Sequence, residues 1–394
     1  MSILKKIQAL SESLHPQWIH FRRHLHQNPE LSFQEFNTSA WVQEVLKAEG
    51  ISFEAGWVKT GITATIEGKN PQSRKISLRG DMDALPIIEK NQVDYKSQVD
   101  GVMHACGHDV HTTCALGAAI ILHRLKDKWE GTVQIIFQPG EEVLPGGANE
   151  MIKAGIFNHY KPKNIFGQHV YPELPAGKVG FKSGWYMAST DELYFTVKGK
   201  GGHGAKPNQC IDPIVAASQL VLQLQTVVSR NAEPATPSVL TIGKFIANGA
   251  TNIIPDTATL EGTFRTFDEK WRYQAHERIR EICSGIAKAT QTEIDVDIRV
   301  GYPALFNDEK TTERAIELAK EYLGEENVVP LNLRTTAEDF AYFAQHTPSC
   351  FYRLGTASAD GQSFNAPVHN NQFDINEDAL ITGVGLMAYL GAKG

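Results

Sequence analysis

Residues 104–111, with the sequence His-Ala-Cys-Gly-His-Asp-Val-His, place metal-ligating and proton-transferring side chains close together in the chain. Cys106 and His108 flank Gly107, and a kinked loop at this glycine could direct both side chains to one point. A thiolate and an imidazole together suit Zn, Mn, Co or Ni. The apolar, alanine-rich run at 112–125 predicts a helix directly after the cluster. The cluster is therefore expected where a loop enters a helix N-terminus, a position that favours anionic groups.

Three further segments bring ionisable residues to the ends of predicted strands. They are strand 75–78 followed by Asp81 and Asp83, strand 132–137 followed by Glu141 and Glu142, and strand 164–167 followed by His169. In open α/β sheets, ligands bind at the carboxyl ends of the strands. This convergence, more than any single motif, predicts a catalytic site.

The chemistry that fits these residues is hydrolysis at a two-metal centre. Two ions about 3.5–4 Å apart need a bridging ligand, terminal ligands and an open position for water. The adjacent carboxylates Glu141 and Glu142 point in different directions if the segment is extended or turned. One can then bind metal while the other takes a proton from the attacking water. The candidate set is Asp81, Asp83, Cys106, His108, Glu141, Glu142, His169 and His369.

Each residue taken alone has a plainer interpretation. A Glu-Glu pair is most often solvated surface, a lone histidine is most often a packing residue, and Cys106 could be a small buried hydrophobe. A thiol nucleophile paired with His108 or His111 also stays open, although a two-residue spacing suits it poorly. His104 and His111 could act only as hydrogen-bond partners of the ligands.

The bulk composition is that of an ordinary globular protein of 394 residues with a net charge of −7. That charge argues against nucleic acid as a partner. Five scattered cysteines do not resemble a disulfide framework. With no signal peptide and no apolar stretch of about 20 residues, we expect a cytoplasmic protein without membrane association.

The order of predicted elements indicates two domains. Residues 187–300 alternate as β-α-β-β-α-β, the order of a small ferredoxin-like unit. Residues 1–186 and 301–394 alternate strand and helix, including helices at 3–27 and 309–323. We therefore predict an α/β catalytic domain with a mostly parallel central sheet flanked by helices, into which a smaller α+β domain is inserted.

At this point the chain closely resembles a known family over nearly its whole length. The family is the metal-dependent amidohydrolases that include hippurate hydrolase, N-acyl-L-amino acid amidohydrolase, N-acetyldiaminopimelate deacetylase and the auxin-conjugate hydrolases, whose catalytic domain is zinc-peptidase-like. The segments that carry the resemblance are RRHLH at 22–26 with PEL at 29–31, GDMDALP at 80–86, HACGHD at 104–109, QPGEE at 138–142, GGHGAKP at 201–207 and TTAEDF at 335–340.

The resemblance implies a role for each matching residue of the catalytic domain. Cys106 would bridge or share up to two divalent ions (Mn, Zn, Ni or Co), and His108, Glu142, His169 and His369 would be the other ligands. Glu141 would be the general base and then the acid, and Asp83 would orient a ligand histidine. Related two-metal aminopeptidases and carboxypeptidases carry a histidine in place of Asp81 and an aspartate in place of Cys106.

The resemblance also implies roles for the inserted domain. Residues 187–300 would form a lid and a homodimer, and His203 would reach the partner's active site to stabilise the oxyanion. Asn252 and Arg265 are candidate substrate-binding residues, because a guanidinium can pair bidentately with a substrate carboxylate. Taken alone, His203 is a turn residue among glycines and Arg265 a surface charge late in a strand.

We therefore predict metal-dependent hydrolysis of the amide bond of N-acyl L-amino acids. Three other functions stay open: a dipeptidase or carboxypeptidase of the same superfamily, a non-catalytic metal-binding homologue, and a structural zinc or redox protein that uses Cys106. A closed set of Cys and His ligands would favour the last, whereas these candidates include carboxylates.

Overall fold

A computed structural model describes residues 1–394, which form two compact units. The first comprises Met1–Gly184, Phe306–Leu333 and Asp339–Gly394, and the second comprises Trp185–Leu305 with Arg334–Glu338. The short segment Arg334–Glu338 groups with the second unit, although the sequence analysis assigned it to the catalytic domain. The assignment of the second unit as a lid and dimerisation domain stays a prediction.

The helices and strands of the chain have the following bounds. The helices are α1 Ile3–Ser13, α2 His15–Gln27, α3 Phe36–Ala48, α4 His108–Arg124, α5 Gly147–Ala154, α6 Pro213–Thr226, α7 Glu269–Thr290, α8 Glu309–Leu323, α9 Phe340–His346 and α10 Ala379–Lys393. The strands are β1 Ser52–Trp57, β2 Gly61–Glu67, β3 Lys75–Asp81, β4 Thr132–Gln138, β5 Asn164–Pro175, β6 Val179–Phe181, β7 Gly184–Met187, β8 Asp191–Lys198, β9 Gly202–His203, β10 Ser238–Ile246, β11 Ile253–Ile254, β12 Thr257–Thr266, β13 Glu293–Val300, β14 Leu305–Asn307, β15 Val328–Pro330 and β16 Ser349–Ala357. None of the helices combines the length and the apolar character needed to cross a bilayer.

The first unit is built on an eight-stranded sheet in the order β1-β2-β4-β3-β5-β16-β6-β15. Its centre, β4-β3-β5-β16, is parallel, and the apolar strand β4 is buried along its whole length. Helix α4 is buried from His108 to Leu122 and packs with α10 against this centre. The predicted α/β class with a mostly parallel central sheet is confirmed.

The register of the central strands brings the predicted site segments to one edge. Asp81 at the end of β3 lies opposite Gln138 at the end of β4, and His169 on β5 lies opposite Arg353 on β16. The parallel direction of these strands places their carboxyl ends together.

Two element boundaries differ from the sequence prediction. The helix predicted at 3–27 is two helices that meet at Leu14, because Pro16 in the first turn of α2 lacks an N–H to continue α1. Helix α4 begins at His108 rather than at residue 112, so His108 lies on the helix and not in the loop before it.

The second unit contains an antiparallel sheet in the order β10-β12-β8-β13, with α6 and α7 packed on it. Apolar side chains of the strands and both helices, including Phe195, Leu220 and Ile279, form a separate buried core. At one end of β8 the buried Asp191 carboxylate accepts hydrogen bonds from Arg272 and His276, which anchors α7 to the sheet.

Candidate metal centre

The loop that carries Cys106 turns into α4 at Gly107, and this turn requires glycine. Gly107 is left-handed, with φ of 80°, and is the N-cap residue of α4. A Cβ atom there would lie 2.6 Å from Val170 Cγ2. The turn places Cys106 and His108 on either side of one point, and both are buried.

The structure brings all five sequence-predicted ligands together. Potential ligand atoms of Cys106, His108 and His169 lie within 4.8 Å of one another, and so do those of Cys106, Glu142 and His369. The Cys106 Sγ atom is 3.4 Å from His169 Nε2, and Glu142 Oε1 is 3.2 Å from His369 Nε2. Cys106 is the member common to both groups, which is the arrangement that a shared ligand of two ions requires.

Hydrogen bonds orient two of these imidazoles with Nε2 toward the centre. The His108 Nδ1–H donates to Asp83 Oδ1 at 3.2 Å, and the His169 Nδ1–H donates to the Val170 carbonyl at 2.8 Å. Asp83 is held in turn by the Ser32 hydroxyl and the Glu142 N–H, which both donate to its Oδ2. A carboxylate or carbonyl on Nδ1 is the usual outer partner of a metal-ligating histidine.

The electrostatics of the centre favour a cation. Burial alone lowers the pKa of His108, but the surrounding carboxylates of Asp81, Asp83 and Glu142 raise it to about 10. Burial and the nearby Glu142 and Glu141 carboxylates raise the pKa of the Cys106 thiol well above its usual range. Negative charge therefore predominates around His108 and Cys106, whereas burial and the nearby Arg353 lower the pKa of His169 well below its usual range.

One buried polar atom of the centre, His108 Nε2, has no hydrogen-bond partner. Such orphaned atoms are rare in native proteins and call for an unseen partner. The donor set of thiolate, imidazole and carboxylate fits a divalent ion of the Zn or Mn type. The residues thus fit a bound metal.

His111 belongs to the same motif, but its contacts exclude it as a ligand. Its Nδ1–H donates to Asp81 Oδ1 at 2.6 Å, and its Nε2 accepts from the Val170 N–H at 2.9 Å. Both ring nitrogens are occupied, so His111 links β3 to β5 beneath the centre. His104 is buried without a partner for either nitrogen, and burial lowers its pKa to about 4.

Sequence analysis named Asp81 as a candidate but assigned no role to the other members of the polar network below Glu141. Arg79 donates to Asp81 Oδ2 at 2.6 Å, to Gln138 Oε1 at 2.8 Å and to Asp339 Oδ1 at 3.0 Å. The Asp339 N–H in turn donates to Glu141 Oε1 at 3.3 Å. The sequence signals were a charged Arg79 in the otherwise buried strand β3 and the positions of Gln138 and Asp339 in the motifs at 138–142 and 335–340.

A second buried network joins the start of α4 to the segment after His369. The Asp109 carboxylate accepts from Arg22 Nε at 2.9 Å and from His26 Nδ1 at 2.7 Å, and Arg22 also donates to Asp374 at 2.8 Å. Burial opposes ionisation of Asp109, but Arg22 and His26 hold its pKa well below its usual range.

The loop that supplies His369 is constrained. His369 has a left-handed φ of 63°, which is unusual for a residue with a Cβ, and its N–H donates to the Ala105 carbonyl at 2.7 Å. Strained residues of this kind cluster at functional sites. The strain directs a half-exposed imidazole toward Glu142.

The three remaining site candidates lie in the second unit. His203, on β9, is exposed and its Nδ1 accepts from the Ala205 N–H at 3.0 Å. Ile253 is the direct partner of His203 across the β9-β11 ribbon, and Asn252 lies one position along, where its carbonyl accepts from the Gly204 N–H. Arg265, on β12, donates to the Thr335 carbonyl at 3.0 Å, and burial lowers its pKa. Their roles stay predictions.

Substitution of Gly107 should destabilise the protein more than substitution of another left-handed glycine. Gly101 also has a positive φ, 75°, but a Cβ there meets nothing within 4 Å. We expect Gly101→Ala to cost about 1–2 kcal/mol for the backbone alone. Gly107→Ala should cost about 1–3 kcal/mol more because of the collision with Val170. Urea unfolding of the three proteins measures the difference, and equal losses would contradict the packing argument.

Comparison with known proteins gives the class. The sequence profile of peptidase family M20/M25/M40 matches residues 77–393. The chain is 40% identical to an N-acetyl-L-cysteine deacetylase of Bacillus subtilis, over 94% of this chain and 86% of that protein. It is 39% identical to the hippurate hydrolase of Campylobacter jejuni, over 94% of this chain and 95% of that protein. It is also 35% identical to a thermostable carboxypeptidase 2 of Saccharolobus solfataricus, over 100% of this chain and 99% of that protein.

Comparison with solved structures supports the same family. A dinuclear metal-binding peptidase of the M20 family from Bacillus subtilis superposes with a TM-score of 0.83 at 35% identity, covering 97% of this chain and 98% of that one. The chain therefore belongs to peptidase family M20/M25/M40. The predictions of family and of enzyme class, a metal-dependent amidohydrolase, are confirmed.

Proposed function

We propose that this protein hydrolyses the amide bond of N-acyl L-amino acids and releases a carboxylic acid and a free amino acid. The observation that carries the proposal is the pair of donor groups that share Cys106, with the Glu141 carboxylate beside them. Relatives that act on N-acetyl-L-cysteine and on hippurate, both N-acyl amino acids, support this substrate class.

The ligands in this proposal are Cys106, His108, Glu142, His169 and His369, and they hold up to two divalent ions of the Mn, Zn, Ni or Co type. Bound there, the metal supplies Lewis acidity that lowers the pKa of water and polarises the scissile carbonyl. Asp83 keeps His108 in the tautomer whose Nε2 faces the centre.

Glu141 acts as the proton carrier in this proposal. It is 6% exposed, and the Asp339 N–H holds one of its oxygens. Its carboxylate takes a proton from the attacking water and returns it to the leaving nitrogen as the C–N bond breaks.

The second unit completes the site in this proposal. His203 donates to the oxyanion of the tetrahedral intermediate in the partner subunit's site. Arg265 and Asn252 bind the substrate carboxylate, for which a guanidinium has the matching geometry. A cytoplasmic location belongs to the same proposal.

A homodimer through the second unit is supported by the two edges of its sheet. The edge strand β13 carries the exposed charges Glu293, Asp295 and Asp297, which discourage pairing with another strand. The opposite edge, β10, instead exposes Val239, Phe245 and Ile246. Although β10 also carries the exposed Lys244 and a register shift between Ile242 and Lys244, it is the more apolar of the two edges and the one expected to pair with a second copy.

We expect Phe245→Lys with Ile246→Lys to give a monomer by light scattering. That monomer should bind Mn²⁺ normally but lose hydrolysis, because His203 acts in the partner's site. Asp295→Lys on the opposite edge is the control and should stay dimeric. A fully active monomer would contradict the role of His203 between subunits.

A panel of substrates tests the proposed function. Chelated enzyme is titrated with Mn, Zn, Co and Ni, and release of free amino acid is measured from N-acetyl, N-benzoyl and indole-acyl amino acids and from dipeptides. Metal-restored cleavage of the acyl substrates is expected. Cleavage of peptides alone would favour the peptidase alternative, which the carboxypeptidase relative supports. Metal binding without any cleavage would favour a binding protein.

A further inference from the structure

The segment at 30–35 lies next to two parts of the centre that carry carboxylates, namely Asp83 and the turn before Glu141. The Ala84 N–H donates to the Glu30 carbonyl, and the Ser32 hydroxyl donates to Asp83 Oδ2 at 2.6 Å. Phe33 has a left-handed φ of 62°, and its ring would lie 2.5 Å from a Cβ on Gly140. The segment therefore contacts Asp83 on one side and the turn before Glu141 on the other.

Glu35 ends this segment, and its carboxylate is completely buried. Its Oε1 accepts from the Phe33 N–H and from the Gly140 N–H, both at 2.8 Å, and its Oε2 accepts from the Thr60 hydroxyl at 2.7 Å. One side chain thus ties the 30–35 segment and the β1–β2 turn to the backbone of residue 140.

The burial of the Glu35 carboxylate is unfavourable for the stability of the fold. Burial and the nearby Asp83 carboxylate raise the pKa of Glu35 to about 7, and none of the ion pairs of the chain includes it. Burying a carboxylate without a cation beside it destabilises a fold. A buried carboxylate at such a position indicates a requirement other than stability.

We infer that Glu35 is a positioning residue, which fixes the backbone at Gly140 and thereby sets where the Glu141 and Glu142 carboxylates lie. Gly140 directly precedes Glu141 and has a left-handed φ of 59°. Because it is a glycine, it has no side chain that could hold the turn in place. The Gly140 carbonyl accepts from the Gly147 N–H at 2.9 Å. The turn is therefore held from both sides, by Glu35 and by the start of α5.

The inference rests on the proposed function only where turnover is measured. The effect of Glu35 on the position of Glu142 is measured by metal binding, which does not depend on that function. In Glu35→Ala the Gly140 N–H loses its acceptor. We expect the affinity for Mn²⁺ and kcat each to fall by about 10–100-fold, the range found when outer partners of a metal site are removed. KM should change little, because no substrate contact is lost.

Glu35→Gln is the rescue variant. Its amide oxygen can accept from both N–H groups, and its NH₂ can donate to the Thr60 hydroxyl, so most of the Mn²⁺ affinity and turnover should return. Two variants control for general destabilisation. Thr60→Val removes only the bond to Oε2. Glu30→Ala, in the same segment, removes the carboxylate that accepts from the Asn37 and Thr38 N–H groups at the start of α3.

Calorimetric titration with Mn²⁺ and steady-state kinetics on the five proteins decide the inference. Loss in Glu35→Ala, recovery in Glu35→Gln and near-normal Mn²⁺ binding in both controls would support it. Normal Mn²⁺ affinity in Glu35→Ala, or equal losses in the controls, would overturn it. If Glu35→Ala does not fold, Glu35→Asp, shorter by one methylene, is judged by the same criteria.

A failure of the proposed function has a different signature. A wild-type protein that binds Mn²⁺ and cleaves no acyl amino acid would overturn that function. The Mn²⁺ affinities of the Glu35 variants would still decide the role of Glu35.

Discussion

Glu141→Gln is expected to abolish hydrolysis while leaving metal bound. Glutamine has the shape of glutamate and can still accept from the Asp339 N–H, but it cannot take a proton from water. Loss of a general base reduces turnover by about 10²–10⁴-fold. The measurement is kcat on the best acyl substrate, together with the Mn²⁺ content of the purified variant.

The adjacent residue provides the matched comparison. Glu142→Gln removes a proposed ligand instead of the base, so Mn²⁺ affinity should fall together with activity. Glu150→Gln, on α5 in a surface ion pair with Lys153, controls for the loss of an acidic charge nearby. Near-normal turnover in Glu141→Gln would rule out the proposed mechanism. Loss of metal from Glu141→Gln would indicate that Glu141 is the ligand and Glu142 the base.

Cys106→Ser is expected to lose both ions, whereas His169→Ala and His369→Ala should each lose one. Cys106 is common to the two donor groups, while each histidine belongs to only one of them. A hydroxyl does not ionise as a thiol does and is a poor substitute for a thiolate ligand. The affinity of both sites should fall by more than about 100-fold, beyond what loss of an outer partner costs.

Mn²⁺ binding measured by calorimetry on the metal-free proteins gives both the stoichiometry and the affinity. His111→Ala is the control within the same motif, because both of its ring nitrogens are already hydrogen-bonded. It should lose stability but keep the full number of ions. Full stoichiometry in Cys106→Ser would exclude Cys106 as the shared ligand.

Much of the centre could be predicted from the residues alone. Cys106, Gly107 and His108 are adjacent in the chain, so the turn that directs the two ligands to one point is a local property. Glu141 and Glu142 follow a continuous apolar strand, and that strand could only be interior. The candidate donor types, namely thiolate, imidazole and carboxylate, follow from such local patterns.

The tertiary structure decided which histidines are available. His108, His111 and His104 belong to one motif, yet His108 lies among the candidate ligands with an unpaired Nε2, whereas both ring nitrogens of His111 are hydrogen-bonded. The partners that separate His108 from His111 are Asp83, Asp81 and the Val170 N–H, which come from other segments. Hydrogen bonds between distant segments leave no periodic pattern in a sequence.

The same reason explains the residues that sequence analysis did not assign. Asp339 and Glu35 are about 200 and 105 positions away from the Glu141 turn that they contact. Asp339 lies in the TTAEDF motif and Glu35 outside any motif, but only burial and specific N–H contacts show what either side chain does. The sequence by itself therefore determined the chemistry of the candidate donor groups. The fold decided which side chains hold those ligands in place, because that depends on where the strands and loops meet.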